Sequence, residues 1–170
     1  DFRREHPHLP VIFVEDGLAS NVPHIYELNQ HNIRYILGCR EGDHAYLMQW
    51  INAMDEEDAP IITKVIEGVS HEYQYFKDVP LNGAEKAPLV TVIRYWETKK
   101  KTKKGETKTT KWMWVTDLKV TDNNIREIVR GARARFHIEN QTFNTLKNQG
   151  YEFEHNFGHG KKYLNHILSM

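Results

Sequence analysis

Residues 11–37 carry a strand, helix and strand pattern that restricts the possible folds more than any other part of the chain. Residues 11–14 form a short, continuous apolar run, which is typical of a buried strand. Ser20 or Asn21 can cap the helix that follows. Residues 33–37 then predict a second strand. Because a crossover of about 20 residues joins parallel strands, the pattern predicts a βαβ unit and an α/β fold.

Two acidic residues and a glycine stand at the end of the first predicted strand. They are Glu15, Asp16 and Gly17. Side chains alternate between the two faces of a strand, so Glu15 and Asp16 are expected on opposite sides. An aspartate followed by glycine is common turn chemistry, and a strand end is also a common place for a catalytic acid. Both interpretations fit Asp16.

A second acid stands within a strong helical pattern at residues 133–150. Arg135 and Glu139 lie four residues apart and share one face of the helix. An ion pair beside a core stripe is one explanation of this spacing. An acid placed for chemistry is the other. The apolar rows next to Glu139 contain Ile138, Thr142, Leu146, Phe136 and Phe143.

The spacing in this helix resembles the C-terminal signature of DDE transposases encoded by bacterial insertion sequences. That signature is tyrosine, two residues, arginine, three residues, glutamate, six residues and lysine. Arg135 and Glu139 match it, whereas Ala132 takes the tyrosine position and Lys147 follows Glu139 after seven residues. The strand end at Asp16 is similar to the segment that carries the second acid of this family.

The resemblance implies an RNase H-like core, incomplete here, that cleaves DNA strands and transfers them during transposition. It implies that Asp16 and Glu139 are catalytic residues and ligands of Mg²⁺ or Mn²⁺. Arg135 and Lys147 would then contact DNA. The first acid of the family is expected upstream of residue 1, so we do not expect the 170 residues alone to cleave DNA.

The domain prediction divides the chain into three parts. Residues 1–60 are expected to be part of the core, residues 61–120 a β-rich insertion before the last catalytic helix, and residues 121–170 a helical C-terminal part of the core. Within the insertion, residues 98–110 predict the hydrophilic connection of a hairpin. It is either a solvated tip or a basic finger that contacts the DNA backbone through Lys99, Lys100, Lys101, Lys103 and Lys104.

The net charge of zero conceals an asymmetry. Residues 1–86 contain 7 basic and 15 acidic residues, a net charge of −8, and residues 87–170 contain 16 and 8, a net charge of +8. An acidic half suits divalent cations and a basic half suits phosphates. The resemblance implies transposon-end and target DNA as the partners, and it allows a homodimer on DNA. No apolar run is long enough to cross a membrane, so we predict a cytoplasmic, nucleoid-associated protein.

Other polar residues favour structural roles. Asp43 is predicted to cap a helix, with His44 on the surface, and Asp117 to form a turn or cap. Cys39 is expected to be a buried thiol. His155 and His159 lie four residues apart, which leaves a histidine-based metallohydrolase as one alternative function. A non-catalytic DNA-binding remnant of a transposase is the other.

Overall fold

A computed structural model describes residues 2–54, 57–100 and 106–137 of the chain. These residues form a mixed α/β fold with one six-stranded mixed sheet and four helices. The first helix, α1 (Phe2–Glu5), is short, and its Phe2 ring packs edge-on against Phe13 at a centroid distance of 6.4 Å.

The predicted βαβ unit is confirmed. It consists of β1 (Ile12–Glu15), α2 (Val22–Gln30) and β2 (Arg34–Gly38), and the two strands are parallel. Asn21 caps α2, because its side chain accepts a hydrogen bond of 3.0 Å from the backbone N of His24. The cap satisfies one of the backbone N–H groups that a helix start leaves without a partner within the helix.

The rest of the sheet is antiparallel and grows outward from β2. After α3 (Ala45–Ala53), four strands follow in the chain: β3 (Ile62–Ile66), β4 (Val69–Pro80), β5 (Leu89–Lys100) and β6 (Thr107–Thr116). The spatial order is β1-β2-β6-β5-β4-β3. The predicted hairpin is therefore the pair β5 and β6, and the strands of residues 61–120 continue the sheet that contains β1 and β2.

Helices cover both faces of this sheet. On one face, α2 and α3 pack against the strands through Ile25, Leu47 and Ile51, which forms the first core. On the other face, α4 (Ile125–His137) packs its Ile125 and Val129 against Ile36 and the strands beside it, which forms the second core. Apolar burial on both sides stabilises the central strands.

The prediction that residues 11–14 form a buried strand is wrong. β1 is at the edge of the described sheet and pairs with β2 alone, and Ile12 is 51% exposed. An apolar run of this length is compatible with either position, because the number of neighbouring strands depends on residues far away in the sequence. The backbone groups along the outer side of β1 thus have no strand partner among the described residues.

The chain divides into two units, Asp1–Ala132 and Arg133–Met170. The first unit contains the whole sheet. Of the second unit the structure describes residues 133–137, which end α4. In the described part of the chain, no helix has the length and apolar character needed to cross a membrane.

Candidate active site

Asp16 directly follows the last residue of β1 and lies at the carboxyl edge of the parallel pair. Glu15 is opposite Leu37 in the register of β1 and β2, so Asp16 stands beside Gly38. Ligands of open α/β sheets bind at this edge, where loops leave parallel strands. The position of Asp16 in the sheet is therefore one where binding and catalytic groups are often found.

The two strand ends approach each other closely at Gly38. A Cβ atom on Gly38 would lie 3.0 Å from the backbone N of Gly17 and 3.1 Å from the carbonyl carbon of Asp16. Both distances are shorter than ordinary van der Waals contacts with carbon. The end of β2 thus sets where the backbone of Asp16 lies, and only a glycine fits this contact without movement.

The two neighbouring acids take different places. Glu15 lies on the side of the first core, where its Oε2 is 2.7 Å from Nε2 of His24 in α2. Strand alternation places Asp16 on the side of Val14, which packs against the second core, as α4 does. Asp16 also accepts a hydrogen bond of 3.1 Å from the backbone N of Leu18. The predicted difference between the two acids agrees with these contacts.

The turns that follow β1 and β2 are joined by a histidine. We call them the β1 exit turn (Gly17–Ala19) and the β2 exit turn (Glu41–Asp43). Ser20 is buried and its hydroxyl donates to the carbonyl O of Gly17 at 3.0 Å. Since Ser20 has one hydroxyl proton, its other partner, His44 Nε2 at 2.8 Å, must be the donor.

The predictions for Asp43 and His44 are wrong in their details. Asp43 ends the β2 exit turn, and the residue before α3 is His44, which makes no capping hydrogen bond through its side chain. His44 is half-buried, and burial lowers its pKa while the nearby Asp43 carboxylate opposes that shift. The sequence shows no partner for His44, because Ser20 is 24 residues away. Asp43 lies in the turn that follows β2, at the same edge of the sheet as Asp16.

Asp117 lies at the opposite edge of the parallel pair. Its Oδ1 accepts from the backbone N of Tyr35 at 3.0 Å, and its Oδ2 is 3.0 Å from Nε of Arg34. Arg34 begins β2 and is opposite Ile12, so this contact is at the amino edge. Burial raises the pKa of Asp117, and its bond with Tyr35 and the charge of Arg34 oppose that shift. A structural role for Asp117 was expected and is confirmed, but its partners are in β2, whereas a turn or cap was predicted.

The single thiol is buried, as expected. Cys39 follows β2 and is 7% exposed, and its backbone N donates to Met113 O at 2.9 Å. Burial raises the pKa of Cys39 to about 12. The thiol is thus protonated near neutral pH, so it is a poor nucleophile.

The stem of the basic finger is a regular antiparallel ribbon. Lys100 is opposite Thr107 at the end of the described hairpin, and the hydroxyls of Thr98 and Thr109 are 2.9 Å apart across the strands. Lys99 Nζ is 2.9 Å from the carboxylate of Glu97, whose side chain is 8% exposed. Lys99, which was predicted to bind DNA, therefore forms an ion pair with the buried carboxylate of Glu97.

Several predicted residues lie outside the described part of the chain. Arg135 is in α4 and is described. Within the described ranges, no three His, Cys, Asp or Glu residues are grouped closely enough to hold a metal ion together. Asp16 is thus the one predicted metal ligand whose surroundings are known. The predicted residues outside the description are Glu139, Lys147, Lys101, Lys103, Lys104, His155 and His159.

Comparison with known proteins assigns no family. No protein-family profile matches the chain, and no curated protein has significant sequence similarity to it.

Proposed function

We propose that this chain is part of the RNase H-like catalytic domain of a DDE transposase, which cleaves and joins DNA with Mg²⁺ or Mn²⁺. One observation carries the proposal. Asp16 stands at the carboxyl end of β1, beside β2, and strand alternation places it on the side of the sheet against which α4 packs. The resemblance assigns the second acid to such a strand end and the third acid, Glu139, to the sequence that continues α4.

The layer arrangement also supports this proposal. α2 and α3 lie on one face of the sheet, and the part of α4 that ends at Ala132 lies on the other. The antiparallel strands come between α3 and α4 in the chain, where the resemblance expects a β-rich insertion. Within the sheet, β6 of the hairpin pairs with β2, and β5 pairs with β4.

The donor chemistry at Asp16 suits the proposed metal. Carboxylate oxygens are the ligands that Mg²⁺ prefers in proteins. Asp16 and Glu139 would hold the ions, which when bound activate an attacking water or hydroxyl and stabilise the leaving oxygen. The bond from Leu18 N and the close approach of Gly38 orient the Asp16 carboxylate before any ligand arrives. Preorientation of this kind reduces the cost of binding.

Metal-directed cleavage of the polypeptide tests the proposed site without requiring DNA cleavage. Fe²⁺ takes the place of Mg²⁺, and with ascorbate and peroxide it generates hydroxyl radicals that cut the chain near the metal. We expect cuts beside Asp16 and beside Glu139, suppressed by excess Mg²⁺ because the two ions compete for one site. Peptide mass mapping locates the cuts.

The pattern of cuts separates the proposed function from its alternatives. Cuts confined to the region of His155 and His159 would favour a histidine-based metallohydrolase. Absence of specific cuts, with DNA binding retained, would favour a non-catalytic remnant. Either pattern would overturn the assignment of Asp16 and Glu139 as metal ligands.

Two adjacent lysines allow a matched test of the basic finger. No ion pair holds Lys100 within the described residues, so we propose that it contacts a DNA phosphate. Lys100→Gln should reduce the slope of log affinity against log salt by about 0.9 and leave stability unchanged. Lys99→Gln should instead lower the free energy of unfolding by about 1 kcal/mol, because it leaves the buried carboxylate of Glu97 without this cation.

Fluorescence anisotropy with DNA at several salt concentrations measures the slope, and urea unfolding measures stability. An unchanged slope, even after Lys101, Lys103 and Lys104 are also replaced by glutamine, would make the finger a solvated tip. A loss of stability in the Lys100→Gln protein would show that this lysine has a structural role.

A further inference from the structure

The side chain of Arg40 lies against the residue that directly follows Asp16. Arg40 Cγ and Nε are 3.7 and 3.8 Å from the position that a Cβ on Gly17 would occupy. Gly17 has no side chain, so the side chain of Arg40 lies beside the backbone of the β1 exit turn. An arginine from the end of β2 is thereby placed beside the proposed metal ligand, although 24 residues separate them in the sequence.

The loop that carries Arg40 is anchored on both sides. Before it, the backbone N of Cys39 donates to Met113 O of β6 at 2.9 Å. After it, His44 donates to Ser20, which in turn holds Gly17. These bonds join the two exit turns and hold the backbone on either side of Arg40 beside the β1 exit turn.

The guanidinium of Arg40 is not used by the described part of the chain. Arg40 is exposed, and no ion pair or side-chain hydrogen bond within the described residues involves it. Glu41 and Asp43 are its neighbours in the β2 exit turn, and neither forms an ion pair with it there. A purely structural arginine in an acidic loop would be expected to pair with one of these carboxylates.

We propose that Arg40 binds a phosphodiester group of the DNA that is held at Asp16. This assignment rests on the proposed function, and it adds a substrate contact that the motif resemblance does not include. An arginine has a planar group of N–H donors that matches two phosphate oxygens, and it stays charged at any physiological pH. Gly17 and Gly38 add no side chains where the two strands end. The assignment requires one phosphate to contact both the cation and the metal.

DNA binding with Ca²⁺ tests the proposal, because Ca²⁺ also takes oxygen ligands but is a poor catalytic substitute for Mg²⁺. The probe is a fluorescent DNA duplex of arbitrary sequence, titrated at several salt concentrations. Arg40→Ala should weaken binding about tenfold and reduce the salt slope by about one. Arg40→Lys should retain the slope and recover part of the affinity, since it keeps the charge but loses the paired donors.

Arg4→Ala is the matched control, because it removes the same charge from an exposed arginine. Arg4 belongs to α1, whose Arg3 binds the carbonyl oxygens of His31 and Asn32, just before β2 begins. The control thus lies near the amino edge, away from Asp16. An equal loss in the Arg4→Ala and Arg40→Ala proteins would overturn the proposal.

A double-mutant cycle separates this inference from the proposed function. If Arg40 and the metal at Asp16 hold one phosphate, the effects of Asp16→Ala and Arg40→Ala in Ca²⁺ should not be additive. Additive effects would place Arg40 on a different part of the DNA and overturn the inference alone. If Asp16→Ala leaves the Ca²⁺ dependence of DNA binding unchanged, the proposed metal site itself is wrong.

Discussion

An Asp16→Asn protein is expected to bind Mn²⁺ at least about tenfold more weakly than the unsubstituted protein. Loss of a group that only supports a metal ligand typically costs about 10–100-fold in metal affinity, so loss of a charged ligand should cost no less. The substitution keeps the size of the side chain and an oxygen that can accept the bond from Leu18 N. Isothermal titration with Mn²⁺ measures the affinity.

DNA affinity without divalent metal should remain unchanged in this protein, because the basic half of the chain supplies the attraction to phosphates. Glu15→Gln is the control, since it removes the same charge one residue away. Glu15 lies on the other side of β1 and pairs with His24, so its loss should leave Mn²⁺ affinity close to the original value. Unchanged Mn²⁺ affinity in Asp16→Asn, or the same loss in both proteins, would contradict the assignment.

A Gly38→Ala protein is expected to lose about 1–3 kcal/mol of stability, the usual cost of forcing a methyl group into a packed site. The new Cβ would meet backbone atoms of Asp16 and Gly17 at 3.0–3.1 Å, and backbone moves less readily than a side chain end. The strand ends would have to separate. Asp16 would shift with them, so Mn²⁺ affinity should fall as well as the urea midpoint.

Gly42→Ala provides the control for this prediction. Gly42 is in the β2 exit turn, and a Cβ there would meet no atom within 4 Å. Its stability should stay within about 0.5 kcal/mol of the original value. A Gly38→Ala protein as stable as Gly42→Ala would mean that β1 and β2 do not approach each other as described. Loss of stability with full Mn²⁺ affinity would show that Asp16 does not depend on Gly38 for its position.

Short-range features of this fold follow from patterns that are local in the sequence. Asn21 is a good cap wherever a helix starts after it, and the apolar positions of α2 and β2 repeat with the period of their own element. The hairpin of β5 and β6 is also local in the sequence, because a short polar connection joins its strands. The strand predicted at residues 33–37 differs from β2 by one residue at each end.

Features that join distant segments were not predictable in the same way. The sequence predicts that His44 is a surface residue, because its partner Ser20 is adjacent only in the folded chain. It predicts that Asp43 is a helix cap, but α3 begins after His44. Arg40 has no pattern in its neighbourhood that marks it. Its position near Gly17 depends on the parallel pairing of β1 and β2. The sequence predicted this pairing, but it did not predict the conformation of the loops that follow the two strands.

The sequence by itself determined the βαβ unit, the strand end at Asp16 and the charge difference between the halves of the chain. These are properties of single segments, and their physical causes act over a few residues. Only the tertiary structure decided that β1 is at the edge of the described sheet, that β6 lies beside β2, and that the two exit turns are joined through Ser20 and His44. Such contacts depend on which distant strands pair. Burial of apolar side chains would stabilise many pairings of similar strands, and the pairing with the lowest free energy depends on the whole chain.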